Sequence, residues 1–260
     1  MLISQSTTTR KGATFTRNVA PGVHRLAHAY VNCYLVEEGD EVTIVDAALP
    51  ATWPLLEQAL RAIDVRPAQV RAIVLTHAHF DHLGFARRAR REWEIPVWGH
   101  PYEAYIARHP YRYAHENPRA LYPLRHPRGA PILAAMARAG AFAVRGVEDL
   151  AFYTDGETID VPGHPRVVFC PGHTFGHSAL LLPDRDAILV GDALVTLDPY
   201  TGATGPQIVS GAATADSIQA LASLEALAQT GAQIVLPGHG EPWKDGIRSA
   251  VGLAMRAGAS

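Results

Sequence analysis

Apolar residues along the chain fall into short β-branched runs, alternating with stretches whose apolar positions recur every three or four residues. That is the pattern of strands interleaved with amphipathic helices. Early strands are expected at 22–27, 32–36 and 42–46, with Gly39 and Asp40 as the hairpin turn between the last two. Thr52 then suits a helix N-cap and Pro54 its first turn, with Leu55, Leu56, Ala59, Leu60 and Ile63 on one buried face. A strand at 71–76, a helix at 84–93 and a short strand at 95–98 follow. Strand patterns return at 157–161, 166–170, 178–182 and 187–190. A helix capped by Thr214 runs to Thr230 and closes on Gly231, before a strand at 233–236 and a last helix near 246–256.

The stretch 101–145 departs from this rhythm. It carries five of the nine tyrosines, and Pro110, Pro118, Pro123, Pro127 and Pro131 divide it into short helical pieces. It reads as an insertion on a single domain spanning 1–260.

Composition narrows the partners. The 260 residues suffice for a sizeable core, and a net charge of -2 leaves no basic surplus for nucleic acid. No apolar run is long enough to cross a bilayer. The polar, threonine-rich segment 1–17 lacks the apolar core of a secretory leader. Cys33 and Cys170 form no paired motif, so a cytoplasmic location without disulfides is expected.

The chemistry gathers at strand ends. Four apolar runs each lead directly into a polar loop: His77-Ala78-His79-Phe80-Asp81-His82, Pro171-Gly172-His173-Thr174, Gly191-Asp192, and Pro237-Gly238-His239-Gly240. Ligands at strand ends rest on a rigid scaffold, and glycine lets backbone come close to an ion. Imidazole and carboxylate are donors that zinc accepts without any thiolate. In the first loop His77 and His79 can address one ion, while Asp81 and His82 turn to a second. With 13 histidines in the chain, three His and one Asp at these spacings would arise by chance in roughly two of a thousand such sequences, so a metal site is expected.

Thr76 to His82 resembles the Thr-His-X-His-X-Asp-His signature of the metallo-β-lactamase superfamily at every place. The resemblance extends from Val31-Asn32-Cys33-Tyr34-Leu35 and Ile44-Val45-Asp46 to Pro237-Gly238-His239-Gly240. It implies an α/β fold, the αββα four-layer sandwich, with the metals at one edge. It further implies that His77, His79 and His173 hold one metal, that Asp81, His82 and His239 hold the other, and that Asp192 bridges them. His177 matches the second histidine of the family's Pro-Gly-His-Thr-X-Gly-His run and is expected to support a ligand from behind, because four-coordinate sites are already filled. Asp46 either orients a ligand in the same manner or simply forms a turn. Cys170 reads as a small buried hydrophobe.

Two Zn²⁺ sharing a water would supply a bridging hydroxide near neutral pH, with Asp81 as the proton acceptor. The expected function is hydrolysis of a small-molecule ester, lactone or thioester. A zinc β-lactamase is disfavoured because familiar ones lack an aspartate at the Asp192 position. Thioesterases of the glyoxalase II type carry a further helical region, whereas 21 residues follow His239 here. Lactonases of the family place a tyrosine where this chain has Val195. A mononuclear iron persulfide dioxygenase conflicts with the intact second ligand set, and a catalytically dead metal-binding sensor with the completeness of both. The insertion is expected to fold over the mouth of the site as a lid, lining a substrate cleft with Tyr102, Tyr105, Tyr111 and Tyr113 and giving no metal ligand. A homodimer interface is its alternative role.

Overall fold

The computed structural model describes residues 6–10 and 12–260; residues 1–5 and 11, part of the segment expected to lack a leader, lie outside the described residues. Eight strands form one sheet in chain order: β1 (Ser6–Arg10), β2 (Ala13–Ala20), β3 (Val23–His28), β4 (Val31–Glu38), β5 (Glu41–Val45), β6 (Val70–Val74), β7 (Val97–Gly99) and β8 (Ala151–Phe152). Neighbours are antiparallel as far as β5 and parallel from β5 to β8. The second sheet contains β9 (Arg166–Phe169), β10 (Ser178–Leu182) and β11 (Ala187–Gly191). A small hairpin of β12 (Val195–Leu197) and β13 (Thr204–Gln207) precedes its last strand, β14 (Ile234–Pro237). The order is β14-β11-β10-β9, with β14 parallel to β11.

The central strands are buried on both faces, and their alternation creates the layers. Along β4, Tyr34 and Val36 join one apolar cluster with Val45, Val74, Leu180, Leu182 and Leu189, which fills the space between the sheets. The intervening Val31, Cys33 and Leu35 face outward into a cluster with Leu56 and Leu60 of α1 (Trp53–Ala62). On the other sheet, Leu181, Ile188 and Val190 pack against helices later in the chain. Burying each such Leu or Ile stabilises the fold by about 1.5–3 kcal/mol. Three apolar interfaces between four layers give an αββα sandwich.

The remaining helices are α2 (Phe80–Leu83), α3 (Ala86–Trp93), α4 (Ala104–Arg108), α5 (Tyr122–Arg125), α6 (Ala130–Arg138), α7 (Ser217–Thr230) and α8 (Ile247–Ala257). Helices α4, α5 and α6 are the short pieces that the prolines predict. Ile106, Tyr113, Tyr122, Ile132 and Met136 from this segment enter the same outer cluster as α1 and α3. No helix among the described residues is long and apolar enough to cross a membrane.

Several expectations need correction. β1 and β2 occupy the threonine-rich start, where alternating β-branched residues favour extended backbone although few are apolar. Residues 157–161 form no strand; Thr158 makes one isolated bridge to Arg166. Thr52 precedes α1 but gives no side-chain cap; its hydroxyl meets His28 Nδ1 at 3.1 Å instead. Thr214 is not the cap of α7 either. Asp216 takes that place and accepts from the Gln219 N–H. Gly231 closes α7 with φ +70, as expected.

Candidate metal centre

The loop after β6, the loop after β9, the end of β11 and the end of β14 converge at one edge of the sandwich. They bring together all seven residues expected as ligands. Three overlapping groups, His77–His79–His173, His77–His82–Asp192 and Asp81–His82–His239, each place their donor atoms within 4.8 Å of one another. Asp192 is central. Its Oδ2 lies 3.2 Å from His239 Nε2, 3.6 Å from His173 Nε2 and 4.0 Å from His77 Nε2, while Oδ1 lies 3.4 Å from His82 Nε2.

The far nitrogens of these rings are tied to the protein, and those ties aim the near ones inward. His82 Nδ1 donates to Asp46 Oδ2 at 3.0 Å, and His239 Nδ1 donates to the Tyr30 carbonyl at 2.8 Å. Thr76 donates its hydroxyl to Asp46 at 2.9 Å and faces His77 Nδ1 at 3.1 Å. Because Thr214 spends its proton on the Val209 carbonyl, its oxygen accepts from His173 Nδ1 at 3.3 Å. The imidazole-to-carboxylate or imidazole-to-carbonyl bond is the usual means of fixing tautomer and direction in a metal ligand. The buried Nε2 atoms of His77, His82 and His239, and Oδ1 of Asp192, have no hydrogen-bond partner, while His79 turns Nδ1 inward, 3.0 Å from His173 Nε2. Unpaired buried donors and acceptors are costly, so a cluster of them facing one point fits cations of borderline softness.

Asp46 thus orients His82 directly and His77 through Thr76, and it does so from a left-handed backbone, φ +61. His177 stays behind the site. Its Nε2 accepts the Asp192 N–H at 3.0 Å, which leaves Nδ1 protonated and directed to Cys170 Sγ at 3.3 Å. Both nitrogens are therefore engaged, and His177 positions Asp192. Cys170 is a buried partner of that histidine as well as a packing residue.

The electrostatics divide the histidines. Burial holds His77 and His79 well below the usual imidazole range and brings His173 down to about 4, so all three are neutral at pH 7. Burial acts the same way on His239 and His82, but the Asp192 carboxylate overrides it. His239 is pushed up to about 10, and His82, with help from Asp46, well above its ordinary value. Burial would raise Asp192, yet His239 and His82 keep it well below the usual carboxylate range. Without cations these protons balance the buried anion.

Gly238 allows the backbone to pass this cluster. A Cβ there would overlap Asp192 Oδ1 and lie 2.7 Å from His82 Cε1.

One positioning residue carried no signal in the sequence. Glu103, fully buried within the insertion, accepts the Ala78 N–H at 2.7 Å and the Gly176 N–H at 2.9 Å. It clamps the His77–His82 loop to the His173–His177 loop. Of the four tyrosines assigned to a cleft, Tyr113 reaches the site, its ring centroid 3.8 Å from that of His79. Tyr111 stacks on Phe80 and ties its hydroxyl to Ala141 O and Val144 N. Tyr102 and Tyr105 are exposed, with rings against His100 and His109.

A family model described as the metallo-beta-lactamase superfamily matches residues 28–239. A probable metallo-hydrolase of Bacillus subtilis (strain 168), YflN, is 28% identical over 252 residues, which cover 91% of this chain and 89% of that protein. Among solved structures, the metallo-beta-lactamase family protein TTHA1429 from Thermus thermophilus has a TM-score of 0.66 at 26% identity, covering 91% of this chain and 79% of that one. TTHA1623, solved in a di-iron-bound form, has a TM-score of 0.54 at 25% identity over 87% of this chain and 92% of its own.

Proposed function

Because the chain belongs to the metallo-β-lactamase superfamily, we propose that it is a hydrolase that uses two zinc ions to cleave a small-molecule ester, lactone or thioester. The observation that carries this reading is the set of inward-facing, unpartnered buried donors shared around Asp192. In this reading His77, His79 and His173 hold one ion, Asp81, His82 and His239 hold the other, and Asp192 serves both. Nitrogen and oxygen donors without thiolate favour zinc; iron, which TTHA1623 holds as a pair, is the competing metal. Two such ions supply Lewis acidity toward the scissile carbonyl and acidify a water enough to ionise near neutral pH.

The chain's own residues supply the rest. Asp46, Thr76, Tyr30 and Thr214 hold four imidazoles in orientation, so little reorganisation accompanies binding. Asp81 meets His239 Nε2 through Oδ2 at 3.3 Å, and its other oxygen takes up the proton of the attacking water. The substrate is a small molecule, and neither nucleic acid nor membrane is part of the reaction.

The test is elemental analysis together with turnover of aryl esters, thioesters and lactones, with and without a chelator. Two zinc ions per chain and chelator-sensitive hydrolysis are expected. A single iron in every preparation, or hydrolysis indifferent to chelation, overturns the proposal.

A further inference from the structure

A cavity of about 1010 Å³ adjoins the candidate centre. It shares a wall with the centre through Tyr30, whose carbonyl holds His239, and through Gly240, the residue after His239. This volume reaches the upper end of ordinary ligand pockets. Strand β3, helix α6 and the loop 240–243 surround it, and small apolar side chains such as Ala135 of α6 and Ala139 just after it line much of its wall.

Three features indicate what it holds. The turn between β3 and β4 places two consecutive non-glycine residues in left-handed backbone, Ala29 at φ +51 and Tyr30 at φ +67. Such a two-residue turn ordinarily recruits Asn or Gly, and strain of this kind persists where the surroundings enforce it. Here it aims the Tyr30 carbonyl at His239 and leaves the ring half exposed at the cavity wall. The wall charges do not cancel. Arg25 is paired with Glu241 at 2.8 Å, and burial keeps His28 neutral. Arg138 at the rim is exposed and has no ion-pair or hydrogen-bond partner among the described residues. Finally, Arg25 is buried with its Nε closed off and its terminal nitrogens held by Gly240 and Glu241, so Arg138 is the wall cation open to an anion.

We propose that this cavity is the substrate-arm pocket of the hydrolase, taking a long apolar acyl arm that ends in a carboxylate seated near Arg138. The assignment rests on the hydrolase reading and narrows its substrate class to ω-carboxy acyl esters or thioesters. Tyr30 is then a specificity-determining residue, the partition between the arm and the scissile group.

The test uses zinc-loaded protein and p-nitrophenyl esters: acetate, octanoate, and the mono-ester of octanedioic acid. kcat/KM is expected to rise at least about ten-fold from acetate to octanoate, as filling an apolar pocket predicts. Ala135→Trp should remove that gain while acetate turnover and zinc content stay at wild-type levels. Arg138→Glu, on the surface, should lower kcat/KM for the octanedioate ester by roughly five-fold and leave octanoate unchanged. Length-independent kinetics, or variants that alter neither preference, overturn the assignment. If no ester turns over, the hydrolase reading has failed, and calorimetry with dodecanedioate judges the pocket alone. Binding that Ala135→Trp or Arg138→Glu weakens supports it; absence of binding, or binding that neither variant changes, overturns it.

Discussion

Replacing Glu103 with Gln asks how far the centre depends on a residue that touches no donor atom of the cluster. Glu103 is fully buried, and its two oxygens each accept one backbone N–H, from Ala78 and from Gly176. The two N–H bonds favour the carboxylate against the burial that raises its pKa. Glutamine keeps the shape but turns one acceptor into an NH2 that must face an N–H. A charge-assisted bond worth about 1.5–3 kcal/mol is lost, and a buried donor is left unsatisfied at about 1–3 kcal/mol; the two overlap, so a loss of about 2–4 kcal/mol is expected. Ala78 lies between two of the histidines, and Gly176 lies between His173 and His177, so the loosened clamp reaches the donors themselves. Zinc affinity should fall about 10- to 100-fold, as for other supporting residues. Chemical unfolding of the metal-free protein measures the first effect, and zinc competition against a calibrated chelator the second. Unchanged stability together with unchanged affinity would refute the clamp.

Asp192→Ala removes the shared anion, so retention of at least one zinc should be lost; elemental analysis showing both ions retained with full turnover would remove Asp192 from the centre. His177→Ala should be milder than His173→Ala, because His177 only supports the Asp192 N–H; equal metal loss in both would place His177 among the ligands. Gly238→Ala should keep the fold but displace Asp192 or His82, lowering zinc affinity at least about ten-fold, as read by the same competition. Zinc uptake near pH 8 should release protons from His239, pushed up to about 10, and from His82. Affinity therefore strengthens as pH rises toward that value, and calorimetric enthalpies that do not vary with buffer ionisation would refute this. His173, lowered by burial to about 4, acts in the same direction on folding of the metal-free chain. Its share of stability is present above the unfolded value near 6.5 and is lost as pH falls toward about 4, which acid titration of unfolding in His173→Gln tests by flattening that slope.

The residues most legible in the sequence are those whose chemistry is local. The loop from His77 to His82 declares itself by spacing, and His173, Asp192 and His239 by their place after apolar strands that a sandwich must bury. Supporting groups are legible only through the resemblance, as with Asp46 at its strand end and His177 after His173. The Tyr30 carbonyl is backbone and leaves no trace in residue type. Thr214 has the composition of a helix cap, and only the position of His173 opposite it shows the other use of its hydroxyl. Glu103 lies among prolines and tyrosines that suggest a lid, and its role depends on two loops that sequence does not bring together. β1 and β2 escape notice because period-two apolar alternation is the signal for a strand, and threonine supplies the backbone preference without the apolarity.

Each of the three donor groups draws residues from both sheets: His77, His79, Asp81 and His82 follow β6, whereas His173, Asp192 and His239 follow strands of the other sheet. A cation bound by any group fastens the sandwich closed at that edge, and the sheets cannot part without giving it up. A chain still being synthesised cannot close the group that needs His239 until that residue, the last of the seven in chain order, has emerged. Ion occupancy and resistance to proteolysis then become linked quantities, since an occupant that binds only the native state lowers the population open to cleavage. Where a cation is bound there, its supply bears on how long the fold resists cleavage.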